Sequence, residues 1–199
     1  MVHIRLEEML QELEAEAHQN HVPIMLSDGI AYLVEYIQKN QIKQVLEIGS
    51  AIGYSAIKMA LASDDVYVTT IERDHDRYVE AVRNIERFHL TDRIQIIEAD
   101  ALELALPKKT FDLIFIDAAK SQYIKFFEKF QSVLAPTGTI VSDNLAFHGL
   151  THTTEPIQSR NLRQLVRKIN NYIRFLEENE EFETQFLSIG DGIGISKRR

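Results

Sequence analysis

The chain of 199 residues contains no cysteine. That removes a disulfide scaffold, a Cys-ligated zinc or iron–sulfur site and a thiol nucleophile. No apolar run approaches the ~18–20 residues that a membrane span needs. Met1 to Asn20 is Glu-rich and lacks the unbroken apolar stretch of a signal peptide, so a reducing cytoplasm is the expected compartment. There is no internal repeat, low-complexity tract or Pro/Gly/Ser linker, and one domain over 1–199 is expected. What is present is an ordinary globular composition, 45% hydrophobic and 26% charged. The 22 Lys plus Arg against 30 Asp plus Glu give a formal charge of −8. This argues against wholesale coating of nucleic acid but allows one local basic patch.

Two helical stretches open the chain, Ile4–His18 and Pro23–Gln38, with Pro23 suited to a first helical turn. Short apolar runs then alternate with helical patterns. Gln44–Gly49, Val66–Ile71, Ile94–Ile97, Phe111–Ile116 and Gly138–Val141 read as strands. Helices are expected at Tyr54–Ala62, after the N-cap Asp74, and at Gln122–Leu134. Near-continuous apolar strands separated by helices mean a parallel sheet covered on both faces. A long helix, Gln158–Leu176, precedes strand Thr184–Ile189, a tight Asp191-Gly192 turn and strand Ile193–Ser196. The last strand is therefore antiparallel, giving a doubly wound α/β fold with a reversed edge strand.

Ligands of such sheets bind at the C-terminal strand ends. The turn after strand one, Glu47-Ile-Gly49-Ser-Ala-Ile-Gly53-Tyr-Ser55, is G-x-x-x-G and not the G-x-G-x-x-G of a pyrophosphate cradle. Strand two ends in Glu72, placed to accept hydrogen bonds from ribose hydroxyls, and strand three ends in Asp100-Ala101. An adenosine ligand without pyrophosphate fits these features, and S-adenosylmethionine has that shape. Each residue alone reads as a turn or a helix-capping acid; three at successive strand ends point to a ligand. Strand four ends in Asp117-Ala-Ala-Lys120 and strand five in Asp143-Asn144. Two carboxylates and an amide carbonyl are hard oxygen donors that suit Mg²⁺ or Ca²⁺. Lys120 is within reach of the same cavity, while His148 reads as a loop residue.

These motifs resemble the metal-dependent class I O-methyltransferases of the catechol and caffeoyl-CoA group. Further runs, among them His21–Met25, Phe115–Tyr123, Asp143–Leu150, Val166–Asn170 and Gly190–Lys197, resemble within that group the bacterial tRNA 5-hydroxyuridine methyltransferases. The resemblance implies a Rossmann-like fold with a seven-stranded, mostly parallel sheet, an antiparallel last strand and helices on both faces. It implies N-terminal helices (1–40) capping the cofactor site, and a homodimer. It implies S-adenosylmethionine contacts at Met25, Glu47, Gly49, Gly53, Ser55, Glu72, Asp100, Ala101 and Asp117. It implies Mg²⁺ at Asp117, Asp143 and Asn144, with Asp117 and Lys120 at the chemistry. The implied reaction converts wobble 5-hydroxyuridine in a tRNA anticodon loop to 5-methoxyuridine; methylation of a small catechol-like phenol is the alternative. Lys120 could take the acceptor proton or only stabilise the oxyanion.

On a helical wheel, Leu162, Leu165, Val166, Ile169, Tyr172, Ile173 and Leu176 share one face. Arg160, Arg163, Arg167 and Arg174 lie opposite, with Lys168 at the margin and a basic Lys197-Arg198-Arg199 tail at the end. Such clusters could contact phosphates, or could be a solvated face. A flipped base would also need a stacking aromatic, for which Tyr123 and Phe147 are candidates. A nicotinamide dehydrogenase fits less well, lacking the third glycine. A non-catalytic RNA-binding protein would have no use for the acid–lysine set.

Overall fold

A computed structural model describes residues 2–151, 153 and 157–199, with side chains from Arg5 onward. Helices α1 (Val2–Gln19) and α2 (Ser27–Lys39) precede strand β1 (Gln44–Ile48). Then follow α3 (Tyr54–Ala60), β2 (Tyr67–Glu72), α4 (His75–Arg87), β3 (Ile94–Glu98), β4 (Phe111–Ile116), α5 (Tyr123–Phe130) and β5 (Leu134–Ser142). The chain ends with α6 (Arg160–Glu177), β6 (Phe182–Leu187) and β7 (Ile193–Arg198). The seven strands form one sheet in the order β3-β2-β1-β4-β5-β7-β6. Strands β1 to β5 are parallel, and β7 runs antiparallel to both β5 and β6.

The strands are apolar on both faces because both faces are covered. Side chains alternate across the sheet, so neighbours enter different cores. Val45, Leu113 and Phe115 join the core under α1, α2, α3 and α4. Leu46, Ile114 and Ile116 join the core under α5 and α6, which is rich in rings. There Phe127 packs edge-on against Tyr172, Phe175 and Phe182. Asp74 caps α4 by accepting from the Arg77 N–H at 3.0 Å, an interaction of about 1 kcal/mol. No helix among the described residues is long and apolar enough to cross a membrane.

Three expectations are corrected. The reversed strand is not the edge: the β6–β7 hairpin folds back so that β7 inserts between β5 and β6, and β6 is the edge. Pro23 does not open a helix. Residues 22–26 form a link outside any helix, Leu26 is extended (ψ 149), and α2 begins at Ser27. The expected helix Gln122–Leu134 is shorter: α5 stops at Phe130, a 3₁₀ turn covers Gln131–Val133, and Leu134 already belongs to β5. Pro136 is accommodated there because the β4–β5 register shifts between Phe111 and Leu113.

The N-terminal helices pack against the helices of one face of the sheet, α2 on α3 and α1 on α3 and α4. Leu13 and Ala17 of α1 are buried, the Tyr54 hydroxyl donates to Glu14, and the Arg87 guanidinium pairs with Glu12 and Glu16. It is their connection, through Pro23, Ile24, Met25 and Leu26, that reaches the cleft at the strand ends.

Candidate active site

The cleft forms where β1 turns sharply and the strand order reverses between β1 and β4. Gly49 is held at φ +97, and a Cβ there would stand 2.3 Å from the Asp117 carbonyl oxygen. Only glycine allows both the conformation and the approach. The Ala51 N–H donates to Glu72 Oε2 at 2.9 Å, while Glu72 Oε1 accepts from the Arg73 and Asp74 N–H groups, each at 2.9 Å. Glu72 therefore stitches the turns after β1 and β2 together, leaving further lone pairs free. Asp100 Oδ1 accepts from the Leu102 N–H at 2.8 Å, fixing the third turn in the same way.

The cleft encloses about 440 Å³. Of the nine predicted cofactor residues, Met25, Gly49, Ser55, Glu72, Asp100, Ala101 and Asp117 line it. Gly53 does not. It sits at φ +84 before α3, where a Cβ would meet that of Ala81 at 3.3 Å, so it allows α3 and α4 to approach. Glu47 does not line it either. Its carboxylate is fully buried beneath the floor and accepts from Ser55 Oγ and Thr70 Oγ1, each at 2.5 Å. Burial pushes the Glu47 carboxyl up to about 7, against the two hydroxyl bonds, with Asp117 and Glu72 adding repulsion. Strand alternation explains this, since Glu47 is the residue before the end of β1 and points inward. It reaches the cleft only through Ser55.

Asp117, Lys120 and Asn144 line the other side of the cleft, whereas Asp143 is buried next to them and is not part of the lining. The Asp117 N–H donates to Ile48 O at 3.1 Å and the Asp143 N–H to Ile116 O at 3.2 Å, so the ends of β1, β4 and β5 are stepped side by side. Lys120 Nζ is 3.8 Å from Asp117 Oδ1, each side chain about one-fifth exposed. Asp143 is 1% exposed, and its Oδ1 is the buried side-chain atom without a hydrogen-bond partner among the described residues. Burial raises both carboxyls: Lys120 opposes the effect at Asp117, and neighbouring Asp117 reinforces it at Asp143, which reaches about 7. A buried carboxylate oxygen with no donor, beside a second acid, is stabilised by taking up a proton or a cation. No three His, Cys, Asp or Glu side chains converge into a ready metal cluster among the described residues. The donor set here is instead two carboxylates and the Asn144 amide, which fits a hard divalent cation that keeps positions open for an acceptor.

In the sequence Asp191-Gly192 marks a turn, and the structure gives Asp191 a second place. It is 5% exposed, lines the cleft, and accepts from Asn144 Nδ2 at 3.2 Å and from the His148 N–H. Asp-Gly is so common a turn signal that it hid the side chain; only the pairing of β7 with β5 brings it to the rim. Of the two candidate aromatics, Phe147 lines the cleft. Tyr123 is 1% exposed, donates to Asp143 O at 3.3 Å and packs edge-on against Tyr172, so it belongs to the core.

Helix α6 presents the predicted faces. Val166, Ile169, Tyr172 and Leu176 are buried, whereas Arg160, Arg163, Arg167, Lys168 and Arg174 are exposed. Arg163 is occupied, donating to Ile157 O at 2.6 Å and Gln158 O at 2.8 Å. The helix packs against the Lys120–Gln122 turn, while its basic residues stay exposed and are not among those lining the cleft.

Comparison with known proteins agrees with this architecture. The family model described as O-methyltransferase matches residues 2–199. A Catechol O-methyltransferase from Niastella koreensis is 34% identical over 152 residues, covering 71% of this chain and 68% of its own. The crystal structure of a Staphylococcus aureus protein, provisionally described as a caffeoyl-CoA O-methyltransferase, superposes with a TM-score of 0.91 at 38% identity, covering 96% of this chain and 92% of its own. An O-methyltransferase from Bacillus cereus, crystallised with S-adenosylhomocysteine, shares the fold at a TM-score of 0.81 and 24% identity, covering 96% and 91%.

Proposed function

We infer the reaction from one premise: this chain belongs to the O-methyltransferase family. It is an S-adenosylmethionine-dependent O-methyltransferase of the catechol and caffeoyl-CoA type. We propose further that the acceptor presents two neighbouring oxygens to a divalent cation, and that this acceptor is the wobble 5-hydroxyuridine of tRNA. The observation that carries the metal reading is the partnerless Asp143 Oδ1, buried beside Asp117 at the rim.

In this reading Glu72 receives the ribose hydroxyls, Asp100 and Ala101 bound the adenine end, and the Gly49–Ser55 turn and Met25 line the remainder. Asp117, Asp143 and Asn144 would hold the cation, which would supply a lowered pKa for an acceptor hydroxyl. The transfer breaks a carbon–sulfur bond, forms an oxygen–carbon bond and releases the acceptor proton. Lys120, 3.8 Å from Asp117, is placed either to receive that proton as the neutral amine or to balance the oxyanion as the ammonium. The protein's contribution is mainly orientation, because the sulfonium already carries the leaving group. The 5-hydroxyl and C4 carbonyl of 5-hydroxyuridine are adjacent oxygens, as are those of a catechol, so one rim serves either.

Two observations support RNA: the exposed basic face of α6, a helix that packs on the Lys120–Gln122 turn, and Phe147 at the lining, where a flipped base could stack. The second reading, a small catechol, is favoured by the name of the Niastella koreensis relative. A methyl-transfer assay with Mg²⁺ separates them, using tRNA bearing 5-hydroxyuridine and a free catechol. The double variant R167E/K168E should lose at least tenfold on tRNA and keep its catechol rate, with a shallower salt dependence on tRNA. Turnover of catechol with none of tRNA, or equal loss on both, would overturn the RNA reading.

A further inference from the structure

We propose that Asp191 is a positioning residue that fixes the Asn144 amide, so that its Oδ1 and not its NH₂ is presented to the cation position; this rests on the metal reading above. An amide oxygen binds a cation and an amide NH₂ repels one, yet the two ends are nearly equal in shape. Something must choose between them. Asn144 Nδ2 donates to Asp191 Oδ2 at 3.2 Å. The flipped amide would set an oxygen against a carboxylate oxygen that is itself almost out of water, where like partial charges repel strongly. The buried acid therefore admits one orientation, and because the amide is planar its oxygen is turned away from Asp191.

The backbone is held by the same hand. Asp191 Oδ1 accepts from the His148 N–H, the Ala146 N–H donates to Asp191 O at 2.7 Å, and the Leu145 N–H donates to Gly192 O at 2.9 Å. This clamp closes because Gly192, at φ +85, leaves room: a Cβ there would stand 2.5 Å from Ala146 N. Asn144 itself sits at φ +61, a region that asparagine enters more readily than most residues. The Asp191-Gly192 pair is thus a turn whose glycine admits the rim and whose acid orients it. Residues that hold metal ligands from behind typically matter 10–100-fold in affinity.

The test is Mn²⁺ titration of the full chain by calorimetry and by the electron paramagnetic resonance signal of free Mn²⁺, without acceptor. D191N should bind Mn²⁺ about 10–100-fold more weakly, with S-adenosylhomocysteine affinity within twofold of wild type. In an N144A background D191N should add little, because the orienting group then has nothing to orient. Wild-type Mn²⁺ affinity in D191N, or a full and independent loss in the double variant, would overturn the proposal. If wild type itself bound no Mn²⁺, the metal reading would fall and this inference with it. If wild type bound it, D143N lost it and D191N kept it, this inference alone would fall.

Discussion

Replacing Glu47 by glutamine should stabilise the protein in a pH-dependent way. The carboxyl is fully buried, and burial raises it from 4.5 to about 7 despite bonds from Ser55 and Thr70. An acid whose folded pKa lies above its unfolded value binds its proton more tightly in the folded state. Stability from this group is therefore complete below pH 4.5, declines as the pH rises to 7 and levels off beyond. At about 1.36 kcal/mol per unit, the difference between 4.5 and about 7 is on the order of 3 kcal/mol. Glutamine cannot ionise, and its amide still offers an acceptor to one hydroxyl and a donor to the other, since hydroxyls reorient. Allowing for imperfect geometry, E47Q should gain ~2 kcal/mol at pH 8, roughly 4–8 °C in melting temperature for a chain of this size. The measurement is paired thermal unfolding of metal-free, cofactor-free wild type and E47Q between pH 4.5 and 8.5. The two curves should nearly meet at the acid end and separate until pH 7. A separation that does not change with pH, or an E47Q less stable at pH 8, would refute the reasoning. Because Ser55 then shares an amide instead of a carboxylate, weaker cofactor affinity in E47Q would also show that Glu47 acts through Ser55.

Two further outcomes are expected. G49A forces a side chain into a positive-φ turn and to 2.3 Å from Asp117 O, so it should lose well over ~1–3 kcal/mol of stability, or bind cofactor too weakly to measure; a normal melting temperature and affinity would contradict the tight-turn argument. A chelator should abolish methyl transfer, and Mg²⁺ should restore it in wild type but not in D143A, with the circular dichroism of D143A unchanged; undiminished turnover in chelator would remove the cation from the reaction.

How much of this was visible in the chain depends on range. The strand ends Gly49, Glu72, Asp100, Asp117 and Asp143 were legible because each follows an apolar run, and in a parallel sheet every such end lies on one side. The amphipathic α6 was legible because its 3.6-residue period needs no tertiary information. What failed needed the third dimension. Glu47 stands next to the turn in sequence, but alternation turns it under the floor, where it meets Thr70 from β2. Tyr123 stands three residues past Lys120, yet α5 carries it into the aromatic core against Tyr172. Arg163 looks like its neighbours on a wheel, but the carbonyls of Ile157 and Gln158 already occupy it.

The largest omission follows from topology. Read as a row, β6 and β7 form an ordinary hairpin and its Asp-Gly turn looks self-sufficient. Insertion of β7 beside β5 pairs Ser142 with Gly194, and that register sets the hairpin turn against the residues following Asp143. A reversed strand at the sheet's edge would have left Asp191 far from Asn144, with that side of the rim unsupported. The antiparallel strand thus does more than finish the sheet. By running back along β5 it delivers a buried carboxylate to the same rim that the parallel strands build from the opposite direction, which is why the acids there come from the ends of the fourth and fifth strands and from the turn before the last strand together.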